Sequence, residues 1–148
     1  SSLVGSEMCI RDRFNSAAIW AKNRKIEDLE IAIANSNPVV SVWDNQTMIG
    51  FGRATSDSVY RGTIWDIVVH PKYQGAGLGR KLVETILSYP RMSHVEKVYL
   101  MTTYQQNFYK RIGFEYNQST TMILHNQPIE EEIELTTKNQ PSLFAKST

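Results

Sequence analysis

Three glycines stand at alternate positions in "HPKYQGAGLGRKLVETIL", residues 70–87, and the residues after them carry the spacing of an amphipathic helix. A strand running through such a turn into a helix start leaves several backbone N–H groups unpaired, all aimed one way beside the positive end of the helix dipole. That arrangement can bind phosphate. Glycine at 75, 77 and 79 lets amides come within about 2.9 Å of an oxygen and permits positive φ, and Arg80 adds charge. Equally open is a tight turn that needs glycine for its geometry alone. A Walker loop requires Gly-Lys-Ser/Thr, but Gly79 is followed by Arg80 and Lys81. A dinucleotide fingerprint requires G-x-G-x-x-G where this chain has "GAGLGR", and it expects repeated strand–helix units. A pyrophosphate on some other carrier is left. The second residue of chemical interest is Asp66, the one acid in the apolar run "TIWDIVV". A buried carboxyl is a candidate proton acceptor; the alternatives are a carboxylate satisfied by neighbouring hydroxyls or amides, or a strand-end group facing solvent.

Elements must place these residues. Strands are read at "VVSVWD" and "MIGFGRATSD", two alternating runs about the polar turn "NQT" that predict a hairpin. "GTIWDIVVH" follows as a third strand, covered on both faces. "LGRKLVETILSY" sets Leu82, Val83, Ile86 and Leu87 on one helical face and ends near Pro90. "KVYLMTT" reads as a fourth strand, "QQNFYKRI" as a short helix that Gly113 can terminate, and "TTMILH" as a last strand. Upstream, "FNSAAIWAKNRK" and "IEDLEIAIANSN" predict two short helices, the second stopped by Asn37 and Pro38. Trp43, Trp65 and Phe51 suit the core, Trp65 with the alternative of lining a ligand pocket. The run at Glu130 to Glu134 reads as a solvated tail.

The 148 residues suffice for one domain. A net charge of +1 argues against a nucleic-acid partner. The single cysteine, Cys9, excludes an internal disulfide, and three scattered histidines suggest no metal site. No apolar run approaches the ~20 residues of a membrane span, so a soluble chain is expected. Residues 1–13, "SSLVGSEMCIRDR", have no period and resemble translated adaptor read-through. They are set aside as a non-native segment, leaving open any natural segment before Phe14.

"VVHPKYQGAGLGRKLV" resembles the acyl-CoA-binding segment of the GNAT superfamily of N-acetyltransferases, with Gln74, Gly77 and Gly79 at the pattern's fixed positions. "TIWDIVV", "KVYLMTT" and "NFYKRIGF" follow the family's order, over about residues 26–125. "NSNPVVSVWD", "RATSD" and "TIWDIVVHPKYQGAGLG" look most like cyanobacterial and plastid members acting on small amines, including serotonin-type N-acetyltransferases. The resemblance implies an N-acetyltransferase domain over 14–126, a tail over 127–148, and an α+β fold, an α/β sandwich. Its mixed, mostly antiparallel sheet would be flanked by helices and splayed between two central strands, "TIWDIVV" and "KVYLMTT".

The same resemblance implies acetyl-CoA as acyl donor and a small-molecule amine as acceptor, by direct attack in a ternary complex. Ile67, Val68 and Val69 would meet the pantetheine through their main chain, and Gly75, Ala76, Gly77, Leu78, Gly79 and Arg80 would receive the pyrophosphate. An alkyl amine of pKa about 10.4 is only ~0.04% neutral at pH 7, so a base is useful. Asp66 is the candidate and His70 its competitor. The family's usual glutamate is missing from "YLMTT", and Thr102 stands where a cofactor-contacting asparagine is usual. Tyr109 aligns with the tyrosine that protonates the departing sulfur. No acyl-enzyme is expected, since Cys9 lies in the segment set aside. A protein N-terminus or lysine as acceptor, and an acyl-CoA sensor without turnover, are the alternative readings. A homodimer would suit the family's habit. The cytoplasm is the expected location, or a plastid if a transit peptide has been lost.

Overall fold

A computed structural model of the chain describes residues 9–11 and 24–126. The helix expected over 14–25 and the acidic run at 130–134 fall mainly or wholly outside them. The chain divides into two compact units, residues 1–115 and residues 116–148.

In the first unit, α1 spans Ile26–Ala34, with Glu27 and Asp28 in its first turn, where the dipole favours acids. Its last carbonyls are met by side chains: Asn35 Nδ2 donates to Ile31 O at 2.8 Å and Ser36 Oγ to Ala32 O at 2.6 Å. These caps end the helix before Asn37 and Pro38 are reached. The latter two instead extend the sheet, Asn37 N donating to Ala54 O and Ala54 N to Pro38 O, each at 2.9 Å.

The hairpin forms as expected: β1 (Val39–Asp44) pairs antiparallel with β2 (Thr47–Ser56). β3 (Arg61–Val69) pairs antiparallel with β2, after a turn in which Asp57 Oδ1 accepts from the amides of Val59, Tyr60 and Arg61. Those three bonds hold the Asp57 carboxyl below the usual carboxylate range. The glycine turn then leads into α2 (Leu78–Ser88), followed by the single turn α3 (Pro90–Ser93), β4 (Lys97–Tyr99) and α4 (Gln106–Ile112). Tyr89 is extended, as a residue before proline prefers, which separates α2 from α3. Gly113 closes α4 at φ +124°.

The sheet order is β1-β2-β3-β4, with β4 parallel to β3. The sheet is therefore mixed and mostly antiparallel, with helices on both faces. One face packs Phe51, Met48 and Val68 against Leu29 of α1 and Ile10. Ile10 thus joins the core although it lies in the segment set aside from the fold. The other face packs Ala54 and Ile64 against Leu82, Val83 and Ile86 of α2 and Met92 of α3. β3 is covered on both faces, as its apolar centre predicts.

Gly52 lies on this second face, where Ile67 of β3 and Ile86 of α2 leave no room for a side chain. A Cβ there would lie 2.5 Å from Ile67 Cδ1 and 2.8 Å from Ile86 Cδ1. Gly52→Val is expected to cost about 1–3 kcal/mol through overpacking, read as a lower urea midpoint at unchanged slope.

Three expectations are corrected. "TTMILH" forms no strand: residues 120–125 are exposed, and among the described residues nothing pairs with them, so their alternation has no ladder to enter. β4 is consequently an edge strand of the described sheet, not a central one, and it is shorter than "KVYLMTT". Trp43 lies outside the core, 39% exposed at the end of the edge strand β1, its Nε1 donating to Ser41 Oγ at 3.0 Å. Phe51 is buried, and Trp65 is partly buried with Nε1 donating to Thr55 Oγ1 at 2.9 Å.

Candidate functional site

The parallel ladder between β3 and β4 holds only from Arg61↔Lys97 to Thr63↔Tyr99. Beyond it β4 ends, while β3 runs on to Val69, so that Ile64 to Val69 face a gap on that side among the described residues. His70 N donates to Ile49 O at 2.7 Å across the β2 ladder. The alternation of an antiparallel pair then turns the main chain of Val68 toward β2 as well. Because peptides are trans, the Ile67 carbonyl and the Val69 amide point the other way, into the gap. The Val69 carbonyl is already used, accepting from Gln74 Nε2 at 3.0 Å. Of the three residues expected to line a pantetheine arm, Ile67 and Val69 offer main-chain groups to the gap.

The turn after β3 is built by the side chains of His70, Tyr73 and Gln74. His70 Nδ1 accepts from Lys72 N at 3.0 Å and caps the 3-10 turn Pro71–Tyr73. That bond leaves the ring proton on Nε2. The Tyr73 hydroxyl donates to Asp44 Oδ2 at the end of β1, an acceptor that together with burial raises the tyrosine's pKa. Gln74 completes the staple by tying the turn to Val69.

The chain then passes through Gly75 at φ +84° and Gly77 at φ +87° into α2. Added Cβ atoms at these two positions would meet nothing within 4 Å, so the positive φ is what demands glycine there. Gly79 differs: its Cβ would press on Phe108 Cζ at 3.3 Å, so its smallness lets α4 approach α2. Gly77→Ala is expected to cost about 1–2 kcal/mol for a left-handed residue with a Cβ, measured by urea unfolding.

Among the described residues, none of the amides of residues 75–80 donates to a protein acceptor; the first bond of α2 is Lys81 N to Gly77 O at 3.1 Å. Six consecutive N–H groups therefore lie open at the positive end of an 11-residue helix. Arg80 stands beside them with its Nε donating to Glu84 Oε1 at 2.7 Å.

Tyr109 comes from α4. Its ring meets Phe108 at 4.9 Å and Phe114 at 5.8 Å, both edge-on, and it packs in the same apolar cluster as Ile67 and Val69. Phe108 touches the space over Gly79, which brings α4, the start of α2 and the end of β3 together. The Tyr109 hydroxyl has no hydrogen-bond partner among the described residues, and burial pushes its pKa up.

Asp66 is not alone in apolar surroundings. Its Oδ2 accepts from Arg53 Nε at 2.8 Å and from Arg24 Nη1 at 3.1 Å, with its side chain 7% exposed. Arg53 also donates to Ser36 Oγ at 3.1 Å and lies 5.9 Å from the Trp65 ring centre. The hairpin register sets Arg53 opposite Trp65, and only the irregularity between Phe51 and Arg53 brings the Asp66 carboxylate to the face of Arg53, which strict alternation would not show. Among the described residues no group of three or more His, Cys, Asp or Glu is arranged to hold a metal ion, and no helix is long and apolar enough to cross a membrane.

The profile of the Acetyltransferase (GNAT) family matches residues 8–114. The chain belongs to this family. An uncharacterized N-acetyltransferase ycf52 of Gracilaria tenuistipitata var. liui is 40% identical over 100 residues, 64% of this chain and 54% of the relative. Histone acetyltransferase TAP1 of Glycine max is 34% identical over 108 residues, 65% of this chain and 46% of the relative. The crystal structure of a Staphylococcus aureus protein described as a probable acetyltransferase aligns with a TM-score of 0.72 at 25% identity, covering 84% of this GNAT chain and 96% of that one. The chain spans about half the length of the curated relatives it matches.

Proposed function

We propose that the chain is an acetyl-CoA-dependent N-acetyltransferase that carries the acetyl group to a primary amine in a ternary complex. The observation that carries this reading is the run of six open amides at residues 75–80, set where β3 ends and α2 begins. A diphosphate fits them: each charge-assisted bond supplies roughly 1.5–3 kcal/mol, so three or four supply much of the ~8 kcal/mol of a micromolar cofactor. Ordering the flexible arm opposes part of that sum. Gly75, Ala76, Gly77, Leu78, Gly79 and Arg80 would hold the pyrophosphate. Gln74 holds the turn, while the Ile67 carbonyl and Val69 amide supply one acceptor and one donor to the pantetheine.

The amine nitrogen attacks the thioester carbonyl carbon, and the carbon–sulfur bond breaks as the tetrahedral centre collapses. Tyr109 donates its hydroxyl proton to the departing sulfur. The proton lost by the amine restores the phenol through solvent.

A small amine such as an arylalkylamine is the first acceptor class. A protein lysine or N-terminus is the second, favoured by the name of the soybean relative, a histone acetyltransferase. Free thiol released from acetyl-CoA, measured against arylalkylamines, polyamines and histone peptides, tests both. Turnover with free amines supports the first reading and turnover with peptides alone the second. Coenzyme binding without turnover on any of them leaves a sensor.

A further inference from the structure

We infer that the Arg24–Asp66–Arg53 ion-pair cluster fixes the register of β3 and so builds the edge that holds the acyl donor, making Asp66 a positioning residue and not the proton acceptor. The inference rests on the acetyl-CoA reading above.

Pairing along β2 and β3 is out of step by one residue. Gly50 pairs with Val69 and Phe51 with Val68, but Arg53 pairs with Trp65 and Ala54 with Ile64. Asp66 and Ile67 therefore both stand opposite Gly52, which is a β-bulge. Asp66 takes the distortion at φ +56°. The bulge explains how Ile64 and Ile67, three residues apart, share one apolar cluster with Val69 when a regular strand alternates every two.

Without the bulge, period 2 would place Asp66 on the face of Ile64, among Leu82, Ile86 and Met92. With it, the carboxylate reaches the opposite face, where Arg53 projects from between Gly52 and Ala54. Arg24 closes on the same oxygen from outside the sheet. A short polar side chain tolerates the left-handed conformation better than an apolar one does, yet it still prefers extended backbone. Two guanidinium groups on one oxygen oppose that preference.

The register matters for the cofactor edge. A one-residue slip exchanges the groups on the two sides of a strand, so it would turn the Ile67 carbonyl and Val69 amide toward β2 and leave Val68 facing the gap. Val68 and Val69 are also held by packing. Removal of the clamp should therefore loosen the cofactor edge without destroying it.

Three variants test this: Asp66→Asn, Arg53→Met and Asp66→Gly. Each is checked for folding by circular dichroism, titrated calorimetrically with coenzyme A and assayed across pH. Asp66→Asn and Arg53→Met are each expected to raise the coenzyme A Kd and the acetyl-CoA KM about 10-fold, with the shape of the kcat–pH profile kept. Asp66→Gly should show a smaller rise, because glycine adopts the bulge unaided. If Asp66→Asn fails to fold, Arg53→Met and Asp66→Gly still carry the comparison. A kcat loss of about 100-fold or more in Asp66→Asn, with unchanged Kd and a wild-type-like Arg53→Met, would make Asp66 the proton acceptor and overturn the inference. Unchanged Kd in all three overturns it as well, while the acetyl-CoA reading stands. Wild-type protein that takes up no coenzyme A overturns both.

Discussion

Tyr109→Phe is expected to lower kcat by about 10²–10⁴-fold while leaving the coenzyme A Kd and the melting temperature close to wild type. The substitution removes one oxygen and keeps the ring. The edge-on contacts to Phe108 and Phe114 depend on the ring alone. The hydroxyl makes no hydrogen bond among the described residues, so folding loses no pair when it goes. What disappears is a proton poised beside the end of β3, which burial keeps on the oxygen through the neutral range. Steady-state kinetics with calorimetry separate the two effects; an unchanged kcat would remove Tyr109 as the acid. The sign of the pH dependence follows from the raised pKa. The ionised phenolate is disfavoured in the folded state, so the contribution to stability is whole below the ordinary tyrosine value of about 10 and is lost as pH rises through the raised one. Activity should fall over the same alkaline range in the wild type, and the stability loss assigned to Tyr109 should be missing from Tyr109→Phe.

Much of this site was legible because glycine and apolar periodicity report backbone facts. Gly75 and Gly77 mark positive φ, and their place between an apolar strand and an amphipathic helix told where open amides would point. The hairpin, β3 and α2 followed from period 2 and period 3.6 in the same way. Polar contacts across distant segments were not legible, since pattern carries no partner. The bond from Tyr73 to Asp44 joins residues 29 apart and that from Arg24 to Asp66 joins residues 42 apart. The bulge hid Asp66 for a related reason: strict alternation assigns it to a core face it does not occupy. "TTMILH" shows the converse failure, a strand pattern without a strand, because alternation states what a segment could pair with and not whether a partner is there.

Removing the Asp66 carboxylate altogether has the second large effect: Asp66→Ala is expected to destabilise the fold by about 3 kcal/mol. Two penalties act together. Arg53, 17% exposed, and Arg24, 33% exposed, lose a shared counter-charge that is itself only 7% exposed. Breaking a buried pair from one side costs more than the pair is worth, because the remaining charge stays desolvated. Arg24 can turn partly to water, which keeps the figure at the low end of the usual range. The left-handed backbone at residue 66 then carries a Cβ with no polar compensation, which adds to the cost. Urea unfolding should show a lower midpoint at an unchanged slope. A double-mutant cycle identifies the origin. If the penalty is uncompensated charge, Arg53→Met introduced into Asp66→Ala recovers part of the lost stability, and the two changes are not additive. Strict additivity would instead leave the cost to the Arg24 pair and the backbone at residue 66.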